Sequence, residues 1–330
     1  MRIVVDAMGT DQYPGPDVGG AVLAGRRWPD DTFILVGDQA QIEAEIARQA
    51  ADDLRFEIVH ADQVVTMEDK PGEAVRGRPG SSMHVGLQLV KDGAADGFVS
   101  AGNTGGLVAI ATLGVPKRLP GVKRPANAPL VPRPGGSFLL LDMGATSDCK
   151  PEHLAQFGLM GSAYSEKVLG VENPRVALLS IGEEEGKGNE LVRESAYLLA
   201  DSPINFIGNA EPKDLFGGCA DVAVTDGFTG NVFIKTLESG AKMLRDAMSQ
   251  EIRAGLVTTL GGMLALPALK RVARRFDPEV IGGVPVLGVD GVVISAHGRS
   301  SAVAMMNAIR QARMAVEGGV VQAIREGLGT

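Results

Sequence analysis

"RVALLSIGEEEGKGNELVRESAYLLA", Arg175 to Ala200, contains in one stretch the unit from which the chain is built. "RVALLSI" is a short apolar run of strand length, "GEEEGKG" is a glycine turn, and "NELVRESAYLLA" reads as a helix start. The turn has the glycines and the lysine of a nucleotide-binding loop. Such a loop needs four residues between its glycines and a Ser or Thr after the lysine, so that backbone N–H groups cradle phosphates and the hydroxyl holds magnesium. Here three glutamates separate Gly182 from Gly186, and Gly188 follows Lys187. Three adjacent carboxylates repel a triphosphate. Either the glutamates serve the dipole of the following helix, or they and Lys187 line the mouth of a cleft.

The same unit recurs along the chain. "RIVVD", "TFILVGD", "FEIVHA", "DGFVSAG", "SFLLLDMG", "INFIGNAE", "DVAVTDG" and "GVVISAHG" are further apolar runs alternating with helical patterns. This alternation predicts an α/β fold, a three-layer architecture in which helices cover both faces of a mainly parallel sheet. Most runs end in Gly, Asp, Ser or Asn, and ligands in such folds bind beyond the carboxyl ends of the strands. Pro116–Gly136 is too rich in proline for a regular helix and either wraps the surface or separates two lobes. The 330 residues are expected to form a single domain, in one lobe or in two with a cleft between them. "VVDAMGT" and "LLDMGAT" echo each other, each with an Asp at a strand end.

Composition excludes several classes. Net charge is −8 with only 4% aromatic residues, so neither general attraction to nucleic acid nor a base-stacking platform is expected. Two cysteines and four histidines lack metal-motif spacing, and no metal or cofactor is expected. "MRIVVDAMG" enters a strand without signal-peptide features. The longest apolar stretch, Gly255 to Leu269, is too short to span a bilayer. These features predict a reduced, cytoplasmic protein that is not integral to a membrane.

Four strand-end motifs carry chemistry. In "SAGNTGGLVAIATLG", Asn103 or Thr104 caps a helix, and the glycines let backbone N–H groups approach a small anion; Ser100, Gly102, Asn103, Thr104 and Gly105 are the candidate phosphate site. In "DGFTGNVFIKTLESG", Asn231 is read as a cap with Lys235 four residues on, the amide and ammonium facing Asp226. "LLDMGATSDCKPEHLAQFG" brings Asp142, Cys149, Lys150 and His153 close in sequence, with Pro151 suited to a first helical turn. A lysine beside Cys149 makes a nucleophilic thiolate one reading and a bystander cysteine the other. "VVISAHGRSS" places His297 at a strand end with Ser300 as cap, while His60 and His84 read as structural.

These motifs, in this order and over essentially the whole length, resemble the bacterial acyl carrier protein:phosphate acyltransferases of phospholipid synthesis, the PlsX family. "VVDAMG", "SAGNTGG", "LDMGA" with "DCKPEHLAQFG", "PRVALLSIGEEEGKGNE", "FIGNAE", "DGFTGNVFIKT" and "LGVDGVVISAHG" carry the likeness. Thr10, the "GATSD" turn and "RGRPGSSM" depart from it. The resemblance implies transfer of a long-chain acyl group from acyl carrier protein to inorganic phosphate, giving an acyl phosphate for glycerol-3-phosphate acylation. It also implies a fold like that of phosphotransacetylases and isocitrate or isopropylmalate dehydrogenases. Phosphate is already an anion and needs no Ser–His–Asp triad, only alignment and stabilisation of the oxyanion. On this reading Asn103 and Thr104 hold phosphate, Lys150, Asn231 or Lys235 neutralises the oxyanion, and His153 or His297 protonates the thiolate. Asp6, Asp142, Lys187 and Asp226 are placed in the cleft. Lys270, Arg271, Arg274 and Arg275, beside the apolar Met263–Leu269, form a candidate docking element for carrier protein or membrane. The resemblance implies a homodimer at the inner face of the cell membrane, beside a membrane glycerol-3-phosphate acyltransferase. The competing readings are a short-chain phosphotransacetylase using coenzyme A and a non-catalytic membrane scaffold.

Overall fold

The computed structural model describes residues 1–276 and 278–329, apart from the side chains at positions 274, 275 and 278. Its strands are β1 (Arg2–Asp6), β2 (Thr32–Gly37), β3 (Phe56–His60), β4 (Gly97–Ser100), β5 (Ala126–Asn127), β6 (Leu130–Arg133), β7 (Gly136–Leu141), β8 (Arg175–Leu179), β9 (Asn205–Ala210), β10 (Val222–Val224), β11 (Val284–Leu287) and β12 (Val292–Ser295). They form two sheets. One is seven-stranded in the order β3, β2, β1, β4, β12, β11, β5; the other is five-stranded in the order β6, β7, β10, β8, β9.

Every run read as a strand is one. The strands missed, β5, β6 and β11, contain or adjoin Pro125, Pro132 or Pro285 and pair only antiparallel. Proline cannot donate to a ladder, so β5 and β6 sit at sheet edges, where one side of the strand needs no partner. Pro116–Gly136 thus carries strands as well as prolines. It is the crossover: β5 closes the first sheet, and β6 opens the second three residues later.

The two sheets share one core. Ile3, Val5, Phe33 and Leu35 of the first and Leu139, Leu141, Val176 and Leu178 of the second belong to one buried cluster with Leu154, Phe157 and Met160 of the helix Pro151–Lys167. Chain order reverses about β1 and β4 in the first sheet and about β7, β10 and β8 in the second, so a ligand is expected beyond their carboxyl ends.

The helices Gly227–Arg253 and Leu256–Arg275 form a hairpin. At Gly262 an added Cβ would come within 2.3 Å of Ile252 Cγ2, so the two helices touch near the turn. The second helix runs well past Leu269, through Pro267. Its Leu256–Ala273 window is apolar and long enough to cross a membrane by length and composition, with none of it buried. The sequence reading of this stretch as too short is corrected by the helix, which continues where the sequence turns basic.

Candidate active site

Site residues gather in two groups at the strand ends. At the first sheet, Asp6 is 1% exposed and accepts hydrogen bonds from Met8 N (3.1 Å) and Ser100 Oγ (2.6 Å), and Ser100 Oγ in turn accepts from Gly102 N (3.1 Å). Burial pushes the Asp6 pKa up, against the hydrogen bonds of Ser100, Ser82 and Met8. Asp6 thus ties the β1 and β4 turns together and does not line the cleft. Asn103 does cap the helix Thr104–Ala109: its Oδ1 accepts from Gly106 N (2.9 Å). Its Nδ2 donates to the carbonyls of Thr66 (3.0 Å) and Asp69 (2.8 Å), so the side chain is committed to the fold. Thr104 and Gly105 remain exposed, with Thr104 Oγ1 3.3 Å from Ser295 Oγ. Exposed His297 lies beyond β12, its Nδ1 accepting from Arg299 N (3.1 Å), and Ala296 N donates to the Ser100 carbonyl (2.8 Å). The helix after it is capped by Ser301 instead of Ser300.

Asp17 escaped the sequence reading because nothing in "PGPDVGG" marks it. It is fully buried and accepts from Thr10 N (3.2 Å) and from the Thr10 hydroxyl. Thr10, a departure from the family pattern, is thus the partner of a buried acid. Burial raises the Asp17 pKa to about 8, opposed by Thr10 and assisted by the charge of Asp6. Asp142 is pushed up by burial to about 6. An unfolded aspartate titrates near about 4. At these two groups the folded chain therefore holds protons that the unfolded chain has lost, and their contribution to stability falls as pH rises from about 4 through 6 and 8. Calorimetric midpoints are expected to decline between about pH 6.5 and 8, above the range in which the lowered pKa values of His84 and His153 oppose the trend. Asp17→Asn should flatten the part above pH 6 and leave the Asp142 part in place.

At the second sheet, Asp142 is 0% exposed and accepts from Asn127 N (2.8 Å) and Thr146 N (2.7 Å). Met143 N returns a bond to the Asn127 carbonyl (3.1 Å). Asp142 is thus also a buried organiser, joining β5 of one sheet to the turn after β7 of the other. Thr146 supplies a second link, its Oγ1 reaching the Pro125 carbonyl at 3.5 Å. Both echoing motifs, "VVDAMGT" and "LLDMGAT", place their aspartates beneath the turns they shape.

Asp226, not Asn231, caps the long helix: it accepts from Thr229 N (2.8 Å) and Thr229 Oγ1 (2.7 Å). Asn231 and Lys235 are exposed one turn apart, and Lys235 Nζ leans forward to Glu238 (3.2 Å) rather than back to Asp226. With Gly144, Ser147, Phe228, Val232 and Met243, they line an open groove of about 680 Å³. Lys187 stands exposed on the turn after β8, which Asn209 Nδ2 anchors through the Glu184 carbonyl (2.9 Å), and Asn189 caps the following helix.

His153 Nδ1 accepts from Lys150 N (3.1 Å), which puts the proton of the neutral ring on Nε2. Burial, then the charge of Arg124, lowers its pKa. The ring is thus held neutral at neutral pH, with Nε2 carrying the proton. Cys149 Sγ points at the Thr146 carbonyl (3.4 Å), and burial raises the thiol to about 12. The lysine next to it in sequence makes no thiolate. Cys149→Ser is expected to keep turnover within about threefold; a loss of a hundredfold, measured as acyl phosphate formed, would restore the nucleophile reading.

Residues 1–323 match the family model described as fatty acid synthesis protein. Phosphate acyltransferases of Anaeromyxobacter sp. and Pelotomaculum thermopropionicum are each 46% identical, covering 98% and 99% of this chain and 89% and 95% of theirs. That of Myxococcus xanthus is 48% identical over 97% of this chain and 91% of its own. The chain belongs to the phosphate acyltransferase (PlsX) family. It is an acyltransferase of fatty acid and phospholipid synthesis, and its substrates include an acyl group and phosphate. Solved structures show the same fold: a phosphotransacetylase from Streptococcus pyogenes (TM-score 0.62, 18% identity, 95% of this chain and 94% of that one). A branched-chain phosphotransacylase from Enterococcus faecalis is similar (TM-score 0.59, 17% identity, 96% and 99%).

Proposed function

We propose that the acyl donor is a long-chain thioester of acyl carrier protein and that the product is a long-chain acyl phosphate. The groove beside Asn231 and Lys235 supports this reading, because Phe228, Val232 and Met243 offer an apolar path next to polar groups. Each methylene buried there contributes about 0.8 kcal/mol, which favours a long chain over acetyl. A phosphate oxygen held by the exposed Thr104–Gly105 turn attacks the thioester carbonyl, a C–O bond forms, and the C–S bond breaks. On this reading Lys150, Asn231, Lys235 and the Nε2–H of His153 stabilise the oxyanion. His297 is the remaining candidate to give a proton to the thiolate.

The exposed apolar hairpin supports peripheral contact with the inner face of the membrane. Leu256, Val257 and Leu264 are at least 84% exposed, with Lys270 and Arg271 exposed on the same helix to meet anionic headgroups. Arg274 and Arg275 lie outside the described side chains. The apolar Met243, Leu244 and Met248 on the partner helix suit a second copy, making a homodimer. The acyl phosphate then passes to a membrane glycerol-3-phosphate acyltransferase.

The test is acyl phosphate formation, trapped with hydroxylamine, from palmitoyl carrier protein and from acetyl coenzyme A. Product from the carrier substrate alone supports the proposal. Product from acetyl coenzyme A alone moves the enzyme to short-chain chemistry, and no product from either revives a scaffold. Vesicle cosedimentation and light scattering test the membrane and dimer readings.

A further inference from the structure

The crossover segment holds charges that the reaction chemistry does not use. Between Pro116 and Arg124 the sequence "PKRLPGVKR" has Lys117, Arg118, Lys123 and Arg124 and no acid, in a chain of net charge −8. All four side chains are exposed. The segment is pinned, not loose. Lys123 N donates to Gln156 Oε1 (2.9 Å), Gln156 Nε2 donates to the Gly121 carbonyl (2.9 Å), and Arg118 donates to the Lys123 carbonyl. Lys123 Nζ reaches Glu152 in the first turn of the helix Pro151–Lys167 at 2.9 Å. Exposed Lys150 caps that helix, so Arg118, Lys123, Arg124 and Lys150 converge on one rim. Asp148 and Glu152 are the acids beside them in sequence, and Glu152 is taken up by Lys123.

This rim borders the site. Pro125, next to Arg124, receives the Thr146 hydroxyl through its carbonyl, and Thr146 is bound to Asp142. The charges of Arg124, Lys123 and Lys150 all lower the pKa of His153, so their field reaches the reacting region. Among the described residues, neither Arg124 nor Lys150 has a hydrogen-bonded or ion-paired side-chain partner.

We infer that Arg118, Lys123 and Arg124, with Lys150 behind them, form the docking surface for an acidic carrier protein bearing the acyl thioester. The inference rests on the long-chain carrier reading given above. A protein is favoured over a nucleotide because the cations lie on an exposed rim drawn from two segments, whereas small ligands are held in concave pockets. Fixed backbone reduces the ordering cost of association, and rim charges of this kind govern encounter rate and its salt dependence.

The experiment compares full-length wild type with Arg118→Glu/Lys123→Glu, neither residue belonging to the reaction machinery. Donors are one long acyl group on acyl carrier protein, on coenzyme A and on pantetheine, which has no acidic surface. KM for the carrier substrate is expected to rise about 10-fold or more and to lose most of its salt dependence. KM for phosphate and KM for acyl pantetheine should stay unchanged, and any change in kcat, through the charge of Lys123 on His153, should be the same for every donor. An unchanged carrier KM overturns the inference. So does an equal rise with acyl pantetheine, which would mean structural damage, or a rise confined to coenzyme A, which would mean a nucleotide site. Wild type that makes no acyl phosphate from any donor sinks the functional reading instead. Calorimetric titration with acylated carrier then decides the surface by itself, since equal affinity of wild type and variant overturns it. If the double glutamate variant does not fold, Arg118→Gln/Lys123→Gln replaces it under the same criteria.

Discussion

Gly230→Ala is expected to abolish acyl phosphate formation, with a loss of a hundredfold or more in kcat/KM. A Cβ at this position would lie 1.9 Å from the Asp142 carbonyl oxygen and 3.0 Å from Thr225 Cγ2. The first obstacle is backbone, so no rotamer change relieves it. The helix Gly227–Arg253 would have to withdraw from the turn after β7 by more than an ångström. Helix and turn supply opposite sides of the groove, with Asn231 and Lys235 on one side and Gly144 and Ser147 on the other. Overpacking a tight contact costs typically about 1–3 kcal/mol, and misplacing catalytic groups by about 1 Å costs on the order of 100-fold in rate. Steady-state kinetics and a calorimetric melt check both consequences. An alanine variant with near-normal turnover would mean that this contact does not set the site.

Asp142→Ala carries the second large effect, through both activity and stability. The carboxylate satisfies two backbone N–H groups, those of Asn127 and Thr146, in a place with no access to water. Each buried donor left unpaired costs about 1–3 kcal/mol, so a loss of roughly 2–6 kcal/mol is expected. Asn does not rescue the site, because its amide has one acceptor for two donors and turns its own N–H₂ toward the other. Removal also frees the turn that carries Thr146 and Gly144, and kcat should drop on the order of 100-fold. Urea unfolding at pH 7 measures the first effect and acyl phosphate assay the second. Full stability in Asp142→Ala would show that the Asp142 carboxylate is not needed to hold the two sheets together.

The sequence by itself determined the α/β class, nine of the strands, the strand-end position of the candidate residues and the family. Those features are local: apolar runs of strand length, glycine turns and motif order can each be read within a few residues. The acidic turn at Gly182–Gly188 is of this kind, and so is the cap at Asn103. Only the tertiary structure decided that the strands divide into two sheets, because the crossover hides two strands among prolines whose pairing comes from distant partners. It also decided what the polar residues do. Asp6 and Asp142 look like cleft acids in sequence, yet both are buried beneath turns, since exposure depends on what packs over a strand end. Cys149 lies beside Lys150 in the chain, but burial and nearby carboxylates, not that neighbour, set its thiol. Asp17 had no signal at all, because its partner Thr10 is defined by the fold of a turn and its high pKa by the core that surrounds it.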